Sequence, residues 1–318
     1  MSAYQRRLSV LVPVYNEEGS LSVLLQEILK NASALKANET IADFEVWFVS
    51  DGSTDRSEAI ITKLAEQSSA IHFIFFRKNF GKAAALQAGF RHCTGDLIIT
   101  MDADLQDDPS EFTAMIEKID EGYDLVSGWK KERRDPLEKR VPSKLFNRFT
   151  SAVSGVSLHD FNCGFKIYRR EVVQNLSIYG ELHRYIPVMV SRKGFRITEI
   201  PVHHRKREHG KSKYGAERYL RGFFDSLTTA FLSKYYDRPM YFFGRVGLLS
   251  LSLGLVICIY LTILWILGNA IGTRPLLAFG IAAMFIGIQF FSIGLIGDMV
   301  VDSTFKNTYD ESHIREIK

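Results

Sequence analysis

Along roughly the first 120 residues, short apolar runs alternate with stretches in which apolar residues recur at helical spacing. The runs lie at 8–14, 44–50, 71–76 and 97–101, and their length and β-branched residues are typical of strands. Amphipathic or Ala-rich stretches follow the first three at about 20–35, 56–67 and 82–91. Strand and helix that alternate in this way predict an α/β fold with a mostly parallel sheet covered on both faces. The loops after successive strands then gather at one edge of the sheet.

The fourth apolar run ends abruptly in a cluster of polar side chains. Within seven residues the chain carries four carboxylates and one amide: Asp102, Asp104, Gln106, Asp107 and Asp108. Open α/β sheets bind ligands at the carboxyl ends of their strands, so we expect a site here. In an extended segment, side chains two apart face the same side, and Asp102, Asp104 and Gln106 are therefore predicted to converge. Converging oxygen ligands suit Mg²⁺ or Mn²⁺.

A solvated acidic turn before a helix is the alternative interpretation of this cluster. Asp108 would then be the N-cap and Pro109 the first helical residue. This alternative accounts for those two residues but leaves the Asp-x-Asp-x-Gln spacing unexplained. We therefore favour the metal site.

Two long apolar segments lie in the last quarter of the chain. Neither 246–273 nor 275–297 contains a charged residue, and each exceeds the ~20 residues that span a bilayer core. We predict two transmembrane helices, because a pair of buried core helices is seldom apolar on every face over this length. Lys and Arg residues flank the pair on its outer ends. The positive-inside rule then predicts a multi-pass protein of the cell (inner) membrane with both termini cytoplasmic.

Charge and cysteine content narrow the class of partner. The formal net charge is +4, but 130–148 carries eight Lys/Arg against three acids and 205–221 carries seven against two. Such clusters near membrane spans favour anionic lipid or phosphate. Nucleic acid is the competing partner, and we expect none because no nucleic-acid module is recognisable. Three scattered cysteines fit a reducing compartment and argue against a zinc framework.

Five short motifs, in this order and spacing, resemble those of the inverting GT-A glycosyltransferases of family 2. They are VPVYNE at 12–17, DGSTD at 51–55, NFGK at 79–82, DADLQ at 102–106 and DP at 108–109. More narrowly, they resemble the polyprenyl-phosphate sugar transferases. The resemblance covers roughly 8–215 and implies a GT-A catalytic domain with a Rossmann-like, mostly parallel sheet.

The resemblance also implies roles for individual residues. It assigns binding of the nucleotide sugar to Pro13, Tyr15, Glu17, Asp51, Lys82, Asp102, Ala103 and Asp104. It assigns Asp102, Asp104 and Gln106 to the divalent cation, with Asp104 the stronger candidate as direct ligand. From spacing alone, Asp51 either accepts hydrogen bonds from base or ribose or only opens a turn.

Acceptor binding is expected in the basic segment at 128–143, which follows a predicted edge strand at 125–127. Arg140 and Ser143 match the family's Arg-x-x-Ser pattern for the acceptor phosphate, whereas we interpret most of Lys130, Lys131, Arg133 and Arg134 as solvated. Asp160 resembles a carboxylate that the family places near the acceptor. A phosphate monoester with a second pKa of about 6 needs little help from a base, so Asp160 either orients the acceptor or removes a proton.

A second basic motif is expected to stabilise the leaving group. Arg207, Ser212 and Lys213 fit the family pattern Arg-x-x-Gly-x-Ser-Lys and can neutralise the departing nucleoside diphosphate. With Asp104 and Asp160, Arg207 and Lys213 form the expected catalytic set.

These inferences give a domain plan and a function. We expect a catalytic domain at 1–215, an interfacial amphipathic helix at 216–240, two transmembrane helices at 241–298 and a cytoplasmic tail at 299–318. The resemblance implies transfer of a hexose, with UDP-glucose as first donor, to polyprenyl phosphate at the cytoplasmic membrane face. The alternatives are the same reaction with GDP-mannose, UDP-GlcNAc or a UDP-aminoarabinose derivative as donor, a processive polysaccharide synthase, and a catalytically inactive membrane scaffold. We leave open whether the chain forms a homo-oligomer.

Overall fold

The computed structural model describes residues 6–131, 147–148, 150–151, 154–178, 180, 182–205, 231, 235, 238–272 and 275–306. The chain divides into two compact units, Met1–Thr229 and Ala230–Lys318. Most of the segments predicted as an interfacial helix at 216–240 and a tail at 299–318 lies outside the described residues.

The first unit is built on a seven-stranded mixed sheet with the order β3-β2-β1-β4-β6-β5-β7. Its strands are β1 (Arg7–Val14), β2 (Asp43–Ser50), β3 (Ile71–Phe75), β4 (Leu97–Thr100), β5 (Leu125–Trp129), β6 (Lys166–Arg169) and β7 (Ile197–Pro201). All neighbours pair in parallel except β6, which runs antiparallel to both β4 and β5. The carboxyl ends of β1, β2, β4 and β5 therefore lie at the same edge.

Six helices accompany the sheet in the described part of this unit. They are α1 (Leu21–Ala37), α2 (Ser57–Gln67), α3 (Lys82–His92), α4 (Phe112–Asp120), α5 (Arg170–Gln174) and α6 (Ile186–Arg192). Short 3-10 helices add Pro109–Glu111 and Leu182–Tyr185. The second unit contains α7 (Met240–Ile266) and α8 (Pro275–Lys306).

The side chains of alternate β1 residues pack into two separate hydrophobic cores. Val10 and Val12 pack with buried residues of α1 and α4, whereas Leu11 packs with those of α3, α5 and α6. Side chains of a strand alternate between faces, so a strand covered on both sides must be apolar throughout. This explains why Leu8–Val14 has no polar position apart from Ser9.

The predicted α/β class and mostly parallel sheet are confirmed, as are the first four strands. One strand assignment was wrong. The sequence interpretation placed 125–127 at a sheet edge, but β5 lies between β6 and β7. The difference arises because β7, which follows β5 by almost 70 residues, pairs with it in parallel.

The second unit is a pair of helices that are long and apolar enough to cross a membrane, at Met240–Ile266 and Pro275–Val301. Glycines let the two backbones approach closely. A Cβ on Gly247 would lie 2.8 Å from the carbonyl oxygen of Gly287, and one on Gly254 would lie 2.6 Å from that of Gly280. Close packing through small residues is typical of membrane helices. The Asp298 carboxylate accepts a hydrogen bond from the Met240 backbone N–H at 3.0 Å.

Replacing Gly287 tests this packing. Gly287→Leu would place its Cβ 2.7 Å from the backbone nitrogen of Leu251, so the helices must separate. We expect a Tm several degrees lower in detergent, since overpacking typically costs about 1–3 kcal/mol. Gly272→Leu is the matched control, because a Cβ there meets nothing within 4 Å. Equal Tm values for the two variants would contradict close packing of α7 on α8.

Candidate active site

The loops after β1 and β2 are joined by reciprocal hydrogen bonds. Asn16 has a left-handed backbone (φ 55°), which Asn tolerates better than most residues. Its side-chain oxygen accepts from the Thr54 N–H at 2.7 Å, and its own N–H donates to Ser53 Oγ at 3.1 Å. These bonds make one platform of the two loops, which carry half-buried Pro13 and exposed Tyr15.

Asp51, at the end of β2, holds the loop that precedes α3. Its two carboxylate oxygens accept hydrogen bonds from the backbone N–H groups of Phe80 (2.7 Å) and Gly81 (2.9 Å). Burial raises the pKa of Asp51, and the two hydrogen bonds oppose that rise. A Cβ on Gly52, where φ is +67°, would lie 2.4 Å from the Lys78 backbone carbon. The Asp-Gly turn is therefore a structural element that fixes the start of α3, whatever else Asp51 binds.

Lys82, the first residue of α3, forms an ion pair with Asp102, directly beyond β4. About a third of each side chain is exposed (31% and 32%). Burial raises the pKa of Asp102, but the ammonium groups of Lys82 and Lys130 outweigh burial and bring that pKa to about 2. Asp102 is therefore ionised at any physiological pH.

The acidic loop is not extended. Residues 103–105 form a turn in which Leu105 has a left-handed backbone (φ 61°), so the predicted strand-like geometry was wrong. The predicted alternation is nevertheless present: Asp102, Asp104 and Gln106 are partly exposed, while the residues between them are buried. The turn is closed by the Gln106 N–H, which donates to Asp104 Oδ1 at 3.2 Å.

Asp107 and Lys130 are the buried ion pair beneath this loop. Asp107 is fully buried, and its carboxylate contacts the Lys130 ammonium at 3.0 Å and accepts from the Asp102 N–H at 3.2 Å. Lys130 is an exception to the solvated cations expected in this segment, since only 12% of its side chain is exposed. Lys130 follows β5 directly, and β5 ends at the same edge as β4, which brings the two residues together.

Asp104 carries negative charge that its surroundings disfavour. Burial, followed by the nearby carboxylates of Asp102 and Asp107, raises the pKa of Asp104 to about 6. A divalent cation would remove this penalty, so the donor set fits the predicted ion. Within the described residues no three His, Cys, Asp or Glu side chains already form a metal cage.

Two hydrogen bonds join Gln106 and Arg205. The Gln106 side-chain N–H donates to the backbone carbonyl oxygen of Arg205 (3.4 Å). The backbone N–H of Arg205 donates to the backbone carbonyl oxygen of Gln106 (3.0 Å). The Arg205 guanidinium also pairs with Glu27 and Asp108. Because the amide nitrogen of Gln106 is engaged, its oxygen is the atom that can face a cation. Asp108 caps the 3-10 helix that begins at Pro109, which is the capping that the alternative interpretation of the acidic turn predicted.

A loop from 160 to 165 lies against Asp102. A Cβ on Gly164 would lie 2.8 Å from both carboxylate oxygens of Asp102, so a glycine is needed there. The buried Lys166 ammonium donates to the carbonyl oxygens of Phe161 (3.4 Å) and Cys163. Asp160 is 1% exposed and accepts a hydrogen bond from the Asn162 N–H at 3.2 Å.

His183 adds a neutral side chain to this region. Burial, followed by the cations of Lys82, Arg184 and Lys166, lowers the pKa of His183 to about 3. Sequence reasoning missed His183, Lys166, Lys130 and Asp107 as site residues. For Lys130 a signal existed, because it directly follows a strand; for His183 and Lys166 the position depends on contacts between distant segments.

The structure thus pairs Lys82 with Asp102, brings Asp104 close enough for its charge to interact with that of Asp102, and sets the loop after Asp160 against Asp102. Gln106 contacts Asp104 through its backbone N–H, and convergence of its side chain with the two carboxylates stays a prediction. Five predicted residues lie outside the described residues: Arg140, Ser143, Arg207, Ser212 and Lys213. Their placement stays a prediction.

Comparison with known proteins adds sequence relatives. A family model described as Glycosyl transferase family 2 matches residues 9–177. The chain is 36% identical to a dodecaprenyl-phosphate galacturonate synthase of Rhizobium johnstonii, over 96% of this chain and 91% of that protein. It is also 36% identical to an undecaprenyl-phosphate 4-deoxy-4-formamido-L-arabinose transferase of Shewanella sediminis, over 92% and 86%.

Solved structures support the fold. A mannosyltransferase from Pyrobaculum calidifontis, in complex with GDP-Man and Mn²⁺, superposes with a TM-score of 0.53 at 18% identity, covering 96% of this chain and 77% of that one. A glucosyl-3-phosphoglycerate synthase from Mycobacterium tuberculosis also gives a TM-score of 0.53 at 18% identity, covering 72% and 80%. At this identity the likeness concerns the fold alone.

The raised pKa of Asp104 predicts a stability effect. Asp104→Asn keeps the acceptor for the Gln106 N–H but removes the disfavoured charge. In EDTA we expect a higher Tm than wild type at pH 7.5. The gain should vanish as the pH falls through about 6 towards the ordinary carboxyl pKa, because wild-type Asp104 is then protonated.

Thermal unfolding at pH 7.5 and pH 5 measures this effect. Asp43→Asn is the control, since Asp43 is exposed, pairs with Lys36 and lies at the opposite end of its strand. A lower Tm for Asp104→Asn than for wild type at pH 7.5 would contradict the claim that the surroundings of Asp104 disfavour its negative charge.

Proposed function

Because the chain belongs to glycosyl transferase family 2, we propose that it transfers a sugar from a nucleoside diphosphate to polyprenyl phosphate. The observation that carries the proposal is the crowding of three carboxylates, Asp102, Asp104 and Asp107, at the sheet edge where all strands except β6 end, which helps raise the pKa of Asp104 to about 6. Carboxylates crowded in this way need a cation, and a cation between carboxylates and a diphosphate is a common arrangement in phosphate chemistry. Both sequence relatives are named for sugar transfer to a polyprenyl phosphate.

We assign the donor to the platform and the acidic loop. Pro13, Tyr15, Glu17 and Asp51 would contact the nucleoside, with Ala103 and Ser212 completing the donor site. Asp102, Asp104 and Gln106 would hold Mg²⁺ or Mn²⁺, which when bound neutralises charge that develops on the leaving diphosphate. Lys82, Arg207 and Lys213 would neutralise the same charge from the protein side.

The acceptor phosphate would be bound by Arg140 and Ser143. One of its oxygens attacks the anomeric carbon from the face opposite the diphosphate, forming the new C–O bond as the old one breaks, so the configuration inverts. This phosphate is largely dianionic near pH 7 and has no proton to lose to a base. Asp160 would therefore orient the acceptor, which fits a carboxylate already held by the Asn162 N–H.

For the donor sugar we place galacturonate ahead of glucose. UDP-glucose was the first donor expected from resemblance, but the two sequence relatives are named for galacturonate and for a formamido-arabinose. The galacturonate synthase aligns with 96% of this chain, including the two apolar helices.

We further propose that the reaction takes place at the cytoplasmic face of the inner membrane. The two apolar helices provide a multi-pass anchor, and basic residues flank their outer ends. Under the positive-inside rule this places both termini and the catalytic unit in the cytoplasm.

A donor panel tests the proposal. Membranes that contain the full chain are incubated with polyprenyl phosphate and labelled UDP-galacturonate, UDP-glucose, GDP-mannose or the formamido-arabinose donor. We expect label in the organic phase, greatest with UDP-galacturonate, and its loss in EDTA. Asp104→Asn should lose at least about a hundredfold in turnover, as expected when a metal ligand of a transferring site is removed. Asp43→Asn should retain it.

Two results would count against the proposal. Lack of lipid-linked label with every donor would contradict polyprenyl-phosphate transfer. Wild-type turnover in Asp104→Asn would contradict the assignment of Asp104 to the cation.

A further inference from the structure

We propose that Lys82 is a built-in counter-ion of Asp102, which a divalent cation displaces and which then binds the diphosphate of the donor. The inference rests on the proposed function and extends it, because it makes binding of cation and donor interdependent. It starts from the ion pair between the Lys82 ammonium and Asp102 Oδ1.

The backbone of Lys82 is fixed, whereas its side chain can turn. Asp51 holds the N–H groups of the two residues before Lys82, so the start of α3 cannot shift easily. About a third of the Lys82 side chain is exposed, and its ammonium sits on a flexible four-carbon stem. The ammonium can therefore change partners without any change in the fold.

Lys130 is much less able to respond. Its side chain is 12% exposed, and its ammonium pairs with fully buried Asp107, which would be left as an unpaired buried charge if Lys130 moved. Breaking a buried pair of this kind is strongly unfavourable. Of Lys82 and Lys130, Lys82 is thus the one that can leave Asp102.

A divalent cation at Asp102 and Asp104 would compete with Lys82 for the same carboxylate. Two cations at one carboxylate repel each other, so the divalent cation weakens the ion pair between Asp102 and the ammonium and favours its release. The released ammonium lies beside the place where the diphosphate of the donor meets the cation, and phosphate oxygens can replace the lost carboxylate. Binding of the diphosphate therefore favours the cation-bound state, and by linkage the cation favours the diphosphate.

Lys82→Met separates the two halves of this exchange. Mn²⁺ binding to the full-length protein in detergent is measured by EPR, without and with UDP. Without UDP we expect Mn²⁺ to bind about fivefold more tightly to Lys82→Met than to wild type, because a competing ion pair is gone. With saturating Mn²⁺ we expect UDP to bind about tenfold more weakly, because a charged partner is missing. Opposite signs in one variant are not expected from a general loss of structure.

Two further variants serve as controls. Lys78→Met changes a nearby lysine whose ammonium lies over the Phe80 ring, and it should alter neither affinity. Lys82→Arg keeps the charge and should restore most of the UDP affinity. Tm values for all variants check that each is folded.

The outcomes distinguish this inference from the proposed function. If wild type forms lipid-linked product but Lys82→Met binds Mn²⁺ alone no more tightly, the role of Lys82 is wrong and the proposed function stands. If wild type binds no Mn²⁺, or if Asp104→Asn binds Mn²⁺ as tightly as wild type does, the proposed cation site is wrong. The Lys82 exchange is then wrong as well.

Discussion

Repulsion among carboxylates at the end of β4 is the constraint on which the site depends. Asp102, Asp104 and Asp107 lie within six residues, partly or wholly removed from water. Lysines from two other elements compensate two of them: Lys82 from α3 pairs with Asp102, and Lys130 after β5 pairs with Asp107. Asp104 keeps a pKa of about 6, which records the charge that remains uncompensated. The proposed divalent cation would compensate this remaining charge.

The mixed topology of the sheet positions the backbone segments that surround Asp102. Strand β6 enters antiparallel between β4 and β5, and the loop before it passes directly over Asp102. Gly164 gives the carboxylate room, while the Lys166 ammonium ties the loop's carbonyl groups together. On the other side, Asp51 fixes the start of α3 and thereby the position of Lys82. Gly164, Lys166 and Asp51 thus influence Asp102 indirectly, because each fixes a backbone segment whose position the sheet determines.

Local pattern was sufficient to predict the first four strands and the acidic loop, since apolar runs and their polar ends lie next to each other in sequence. It was insufficient for β7 and for Lys130, whose positions depend on pairing between segments far apart in the chain. The backbone of the acidic loop was also misjudged, because a left-handed Leu105 has no signature in residue type. Spacing and resemblance nevertheless both selected Asp102, Asp104 and Gln106, and the structure leaves these three partly exposed with buried residues between them.

The central claim is that these three residues hold a divalent cation. The most direct test is a crystal structure with Mn²⁺ and UDP, using data collected at a wavelength where manganese scatters anomalously. We predict a single strong anomalous peak bonded to oxygen atoms of Asp102 and Asp104, with Gln106 presenting its amide oxygen towards it. An anomalous peak elsewhere, or bound UDP with no manganese at the acidic loop, would contradict the account.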